Sequence, residues 1–106
     1  MPAQRGQRTR KLPPVHPGEV LKLDFMEPMG ISAYRLGKET DISAQHLGRL
    51  LAGTRGISAD VAMRLGRFFG TSARLWLNLQ VQYDLDVAED AVGSEIARRV
   101  KPWKAA

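Results

Sequence analysis

Residues 32–53, SAYRLGKETDISAQHLGRLLAG, contain two runs of helical length whose join at Asp41-Ile42 has neither proline nor glycine. Two helices set that close together must meet on small side chains, and one side of the second is left with nothing of its own fold to cover it. Ser32 is a good N-cap for the first, whose inner face reads Ala33, Leu36, Gly37 and Thr40 at the i, i+3, i+4, i+7 spacing. Ile42 plugs the turn and Ser43 caps the second helix, with Ala44, Leu47, Leu50 and Leu51 as its apolar stripe. The opposite side carries Gln45, His46 and Arg49, Gly53 suits a left-handed C-terminal cap, and Thr54-Arg55-Gly56 forms a loop.

The flanking segments extend the pattern to five helices and no strands, an all-α fold. Pro17 suits a first helical position, Glu19 complements the dipole of that helix, and Val20, Leu21, Leu23, Phe25 and Met26 supply its apolar surface. Pro28 and Gly30 are expected to end it. Ser58 caps a fourth helix bearing Val61, Ala62, Leu65, Phe68 and Phe69, closed by Gly70, and Thr71 or Ser72 caps a fifth.

The fifth helix is apolar on two sides. Leu75, Trp76, Leu79, Tyr83 and Val87 fall on one, Leu77, Val81, Leu85 and Ala88 on nearly the opposite one. One core covers one stripe, so the stripe of Leu77, Val81, Leu85 and Ala88 predicts a homodimer interface, the alternative being that residues after 93 fold back over it. Those residues, SEIARRVKPW, predict a further short helix before Pro102.

Charge divides the chain into three. Residues 1–14 hold Arg5, Arg8, Arg10 and Lys11 with no acid and no periodic apolar positions, which predicts a flexible basic arm. Residues 15–93 form the helix-turn-helix domain with its dimerisation helix, and residues 94–106 a basic C-terminal tail. The net charge of +5 is therefore a poor guide: the two tails together carry +7, and the middle is slightly acidic. No apolar run approaches a membrane span, and the basic start leads into Pro13-Pro14 rather than a signal-peptide core, so a cytoplasmic protein is expected. With no cysteine and two histidines far apart, no metal site and no cofactor is expected.

What such a helix pair can do is enter the DNA major groove with the second helix while the first helix and the following loop settle on phosphates. Gln45 is suited to bidentate pairing with adenine, Arg49 one turn on to guanine, and Ala44 to a thymine methyl, with His46 on the same side. Ser32, Ser43, Thr54 and Arg55 are the candidate phosphate contacts. Gly48 gives up helix propensity on the exposed side, which suggests close approach of DNA. Trp76 and Tyr83, spaced among leucines, read as packing rather than base-stacking platforms. An enzyme, such as a nuclease built on His16 or His46, is disfavoured because no nucleophile, base and orienting group can be placed together.

Four blocks, HPGEVL from His16, the stretch from Ser32, GISADVAMRLGRFFGTS from Gly56 and LWLNLQVQYDL from Leu75, resemble the HigA/VapI group of antitoxins over roughly residues 15–90. The resemblance implies a lambda-repressor-like (XRE/Cro-type) five-helix domain that dimerises and binds double-stranded operator DNA at its own promoter to repress transcription. It also implies a partner, a HigB-like toxin of the RelE class, a ribosome-dependent mRNA endonuclease neutralised by direct binding. Three positions depart from the wider repressor-like pattern: Ala33 stands where glutamine is frequent, Gly37 where alanine is usual, and Asp41 where the turn often has glycine. Asp tolerates the left-handed conformation better than most residues. The rival expectation is a stand-alone XRE-family repressor with the same DNA face and no toxin.

Overall fold

The computed structural model describes residues 12–104; the basic residues expected to form the arm, Arg5 to Lys11, lie outside them. The described residues are helical throughout their ordered elements, with no strand among them. Helix α1 begins as a regular turn, Pro17–Val20, passes through a π-helical stretch, Leu21–Met26, and ends in a last turn, Glu27–Met29. It is followed by α2 (Ala33–Thr40), α3 (Ala44–Ala52), α4 (Ala59–Phe69) and α5 (Ala73–Arg99).

The helix starts are set by side-chain caps. Ser32, Ser43, Ser58 and Ser72 each accept a backbone N–H three residues on, at 3.0–3.2 Å. Ser72 thus caps α5, while Thr71 Oγ1 accepts the indole N–H of Trp76 at 2.9 Å. Gly30, Gly53 and Gly70 end α1, α3 and α4 with positive φ.

Two boundaries differ from expectation. Pro28 lies inside α1, and Gly30 alone ends it. In the π-helical stretch the bonds run one residue further back, Glu27 N–H to Lys22 O, which opens the room that a proline ring otherwise takes from the i−4 carbonyl. At the other end, α5 continues unbroken past residue 93 to Arg99, so SEIARR is its last part rather than a separate helix. Good helix formers and an i,i+4 ion pair, Arg99 to Glu95 at 3.5 Å, carry it through Gly93. Among the described residues nothing folds back over α5: Val92, Ile96, Val100 and Trp103 are all exposed.

The core is Leu21 and Met26 of α1, Leu36 of α2, Ile42 and Ile57 of the connections, Leu47 and Leu50 of α3, Val61, Ala62 and Leu65 of α4, and Trp76 of α5. Trp76 is fully buried in an aromatic cluster with Phe25 (ring centroids 4.9 Å) and Phe69 (6.0 Å), so packing is its role. Ala33 and Ala44, expected on inner faces, are exposed. Each is the first residue after its cap, and the helix begins there beyond the edge of the core. Gly37 does face inward, where a β-carbon would stand 3.1 Å from the Ile42 carbonyl, so the absence of a side chain lets the turn close against α2.

Candidate nucleic-acid interface

The turn between α2 and α3 is held from both sides. Asp41 occupies the left-handed region (φ 59°, ψ 32°), as the tolerance of Asp for that region allows. Thr40 Oγ1 donates to the Leu36 carbonyl at 2.7 Å. Arg64 of α4 donates from Nη1 to the Thr40 carbonyl at 3.0 Å and from Nε to Asp60 at 2.6 Å, which covers the C-terminus of α2 with a positive charge. The hydrogen bond from Arg64 holds the Asp60 carboxyl below its ordinary value, and the same bond to Asp60 raises Arg64.

With Leu47 and Leu50 buried, α3 turns Ala44, Gln45, Gly48 and Arg49 to the surface. Gln45 and Arg49 are brought together on one exposed face. Gly48 lies between them, and a β-carbon there would meet nothing within 4 Å. Ser32, Ser43, Thr54 and Arg55 are exposed around this face. The two serine oxygens accept the cap bonds, leaving their hydrogens to donate outward. The Thr54 hydroxyl is directed to the Arg49 carbonyl at 3.3 Å.

His46 is placed differently from its neighbours. It is half-buried, and its Nε2 is enclosed without a hydrogen-bond partner. Burial, and then the nearby charge of Arg55, lower its pKa, with Asp60 opposing. The ring is therefore neutral at pH 7, and it belongs to the margin of the face rather than its centre.

Residues far away in sequence fix the pose of α3, and their roles were not legible from spacing. Gly18 packs against the backbone of Leu50, and His16 caps α1 through Nδ1 (2.9 Å from the Gly18 nitrogen) with its ring beside the backbone of Arg55. The His16 ring also meets Tyr83 of α5 edge-on at 4.9 Å. Gln80 Oε1 accepts the Ile57 N–H at 2.7 Å, tying the loop behind α3 to α5. The advance signal was that His16 and Gly18, like Ile57, Gln80 and Tyr83, fell within the resembling blocks.

On α5, Leu77 and Leu79 are half-buried and pack on the core, and Val81 and Leu85 are 54% and 60% exposed. Ala88 is exposed in line with them, and the same row continues through Val92 and Ile96, at 40% and 51%. The expected boundary after residue 93 had hidden that continuation, although the spacing of three and four residues was present to find it. Among the described residues there is no grouping of acidic or histidine side chains able to hold a metal ion, and no helix long and apolar enough to cross a membrane.

The helix-turn-helix family profile matches residues 24–76. Virulence-associated protein I of Dichelobacter nodosus is 44% identical over 79 residues, 74% of this chain and 73% of that protein. Antitoxin HigA-1 of Vibrio cholerae serotype O1 is 35% identical over 95 residues, 90% of this chain and 89% of that one. Among solved structures, the Pseudomonas aeruginosa antitoxin HigA with the higBA promoter superposes with a TM-score of 0.82 at 42% identity, covering 86% of this chain and 99% of that chain. None of these belongs to an enzyme class. Fold, turn and sequence agree, and the chain belongs to the XRE-type helix-turn-helix family, in its HigA/VapI group.

Proposed function

We propose that this protein is the cytoplasmic antitoxin of a type II toxin–antitoxin module, a homodimer that represses transcription from its own operator and neutralises a HigB/RelE-type mRNA endonuclease by direct binding. The observation that carries the DNA half is the two-sidedness of α3: Leu47 and Leu50 are buried while Gln45 and Arg49 are exposed together with open space at Gly48 between them. An α-helix presenting such a face fits the major groove, with Gln45 on adenine, Arg49 on guanine, Ala44 against a thymine methyl and His46 at the edge. Ser32, Ser43, Thr54 and Arg55 set the register on phosphates. The P. aeruginosa relative with its promoter supports the DNA reading, and the name of the V. cholerae relative supports the antitoxin reading.

Two such helices reach successive grooves, about 34 Å apart, once the subunits pair through α5, by Leu77, which also packs on the core, and by the outward row of Val81, Leu85 and Ala88, extended by Val92 and Ile96. Copurification with the product of the adjacent gene, followed by a footprint on their shared promoter, tests both halves. A protected palindrome and a retained small endonuclease are expected. A footprint without a retained partner would leave a stand-alone repressor, and neither would remove the proposal.

A further inference from the structure

We propose that Gln80 of α5 is a positioning residue for DNA binding: its amide holds the Thr54-Arg55-Gly56 loop in the pose that presents Arg55 to a phosphate. This rests on the DNA reading above and adds to it a residue that acts through Arg55 rather than on the duplex. The loop leaves α3 at the Gly53 cap and enters the core at Ile57, which is buried. At its start the Thr54 N–H bonds to the Arg49 carbonyl of α3 at 3.0 Å. At its far end the Ile57 N–H goes to another element altogether, to Gln80 Oε1 at 2.7 Å. Arg55 and Gly56 stand exposed between these two anchors.

The chemistry of the second anchor dictates its side chain. The Ile57 N–H requires an acceptor, whereas Asp84 Oδ1, 2.9 Å from Gln80 Nε2, requires a donor. One group must serve both, which a carboxamide does and a carboxylate, an ammonium or a thioether does not. The two partners also fix which end of the amide is oxygen. Asp84 lies one turn further along α5, so its bond keeps the amide across the loop and not turned to solvent.

Gly56 is the complementary feature on the loop. A β-carbon there would lie 2.8–3.0 Å from the oxygen, carbon and nitrogen of the Gln80 amide alike, so the amide faces bare backbone. Gly56 is not among the glycines with positive φ; the approach of Gln80, not the backbone conformation, asks for glycine. The same turn of α5 supports the loop a second time, because Tyr83 meets the His16 ring edge-on at 4.9 Å and that ring lies beside the backbone of Arg55. The exposed Val81 and Leu85 belong to this turn as well, so the helix proposed to pair the subunits also sets the loop.

The test uses the full chain. Gln80→Met keeps the length and removes donor and acceptor, and the Gly56→Ala methyl displaces the amide. Gln80→Glu combined with Asp84→Asn exchanges acceptor and donor at unchanged net charge. Amide exchange of the free protein comes first: in Gln80→Met and in Gly56→Ala the Ile57 N–H should exchange about two- to tenfold faster, with Leu47 and Leu50 unchanged. Binding is then measured on the operator and on a scrambled duplex between about 50 and 200 mM salt, where wild type should lose about 12-fold more affinity than either variant, one phosphate contact per subunit of a dimer, equally on both duplexes. With Arg55→Ala already in place, Gln80→Met should change nothing further, and the exchanged pair should behave as wild type. Unchanged exchange at Ile57, an unchanged salt dependence, an equal loss with Arg55 already replaced, or no recovery in the exchanged pair would each overturn the inference. A wild type with no preference for the operator would overturn the proposed function instead, while the exchange rates, read without DNA, report on Gln80 independently.

Discussion

A β-carbon on Gly18 would stand on the carbonyl oxygen of Leu50. The atom it meets is backbone, not the end of a flexible side chain, so relief requires α1 to move away from α3. Gly18→Ala should therefore destabilise the fold by about 1–3 kcal/mol, the usual range for overpacking, despite the better helix propensity of alanine. Urea denaturation of the two proteins measures it, and an unchanged midpoint would refute the assigned contact.

Asp41 sits in the left-handed region at the C-terminus of α2 with its side chain almost fully exposed, and its carboxylate is 4.0 Å from Arg64. An exposed pair at that distance contributes little, whereas the left-handed conformation costs an ordinary residue about 1–2 kcal/mol. Asp41→Gly is expected to stabilise by roughly 0.5–1 kcal/mol after allowing for the greater entropy of glycine in the unfolded chain. Thermal melting is the readout. A lowered Tm would show that the contact with Arg64 matters more than the backbone.

Arg49→Ala should cost about 1–3 kcal/mol of operator binding and relax the preference at one base pair, with folding stability unchanged because the side chain is exposed. Arg55→Ala should weaken all duplexes alike and flatten the salt dependence by about 0.9 per subunit. Competition binding with a set of single-base operator variants separates the two. Equal operator binding by wild type and Arg49→Ala would contradict the major-groove role.

Leu85 and Val92 are exposed on the outward row of α5 and are not among the buried core residues. Leu85→Asp combined with Val92→Asp should yield a folded monomer by light scattering, with helical content preserved and operator affinity reduced because the two half-sites are no longer linked. A dimer of unaltered stability would place the interface elsewhere.

Both histidines have pKa values lowered from 6.5, chiefly by burial: His16 where the ring is packed between α1, the Arg55 loop and Tyr83, and His46 between α3 and the start of α4. The unfolded chain thus takes up protons before the folded one does. Stability is complete above about pH 6.5 and falls as the pH drops from there towards the lowered values. Protonated His16 also loses Nδ1 as an acceptor for the Gly18 N–H. Unfolding free energies at pH 7.5 and 5.5 should show the loss, and His16→Asn, which keeps a capping oxygen, should show a smaller one. A pH-independent wild type would rule out both assignments.

Caps and stripes were legible because they are local. Ser32, Ser43 and Ser58 each needed only a backbone N–H three residues away, and the alternation of Leu47 and Leu50 with Gln45 and Arg49 follows from the pitch of one helix. Such features made the five helices, the turn and the outward pair of polar residues readable along the chain. The arrangement that gives them a fixed pose depends on contacts between elements: Arg64 on the Thr40 carbonyl, Gln80 on the Ile57 N–H, His16 beside Arg55, and Gly18 against Leu50. The continuation of α5 past residue 93 and the withdrawal of His46 from the exposed face belong there too. Periodicity reports which side of a helix is apolar. Only packing in three dimensions decides what lies against that side, how deeply each residue sinks, and which backbone carbonyl waits where a side chain would have gone.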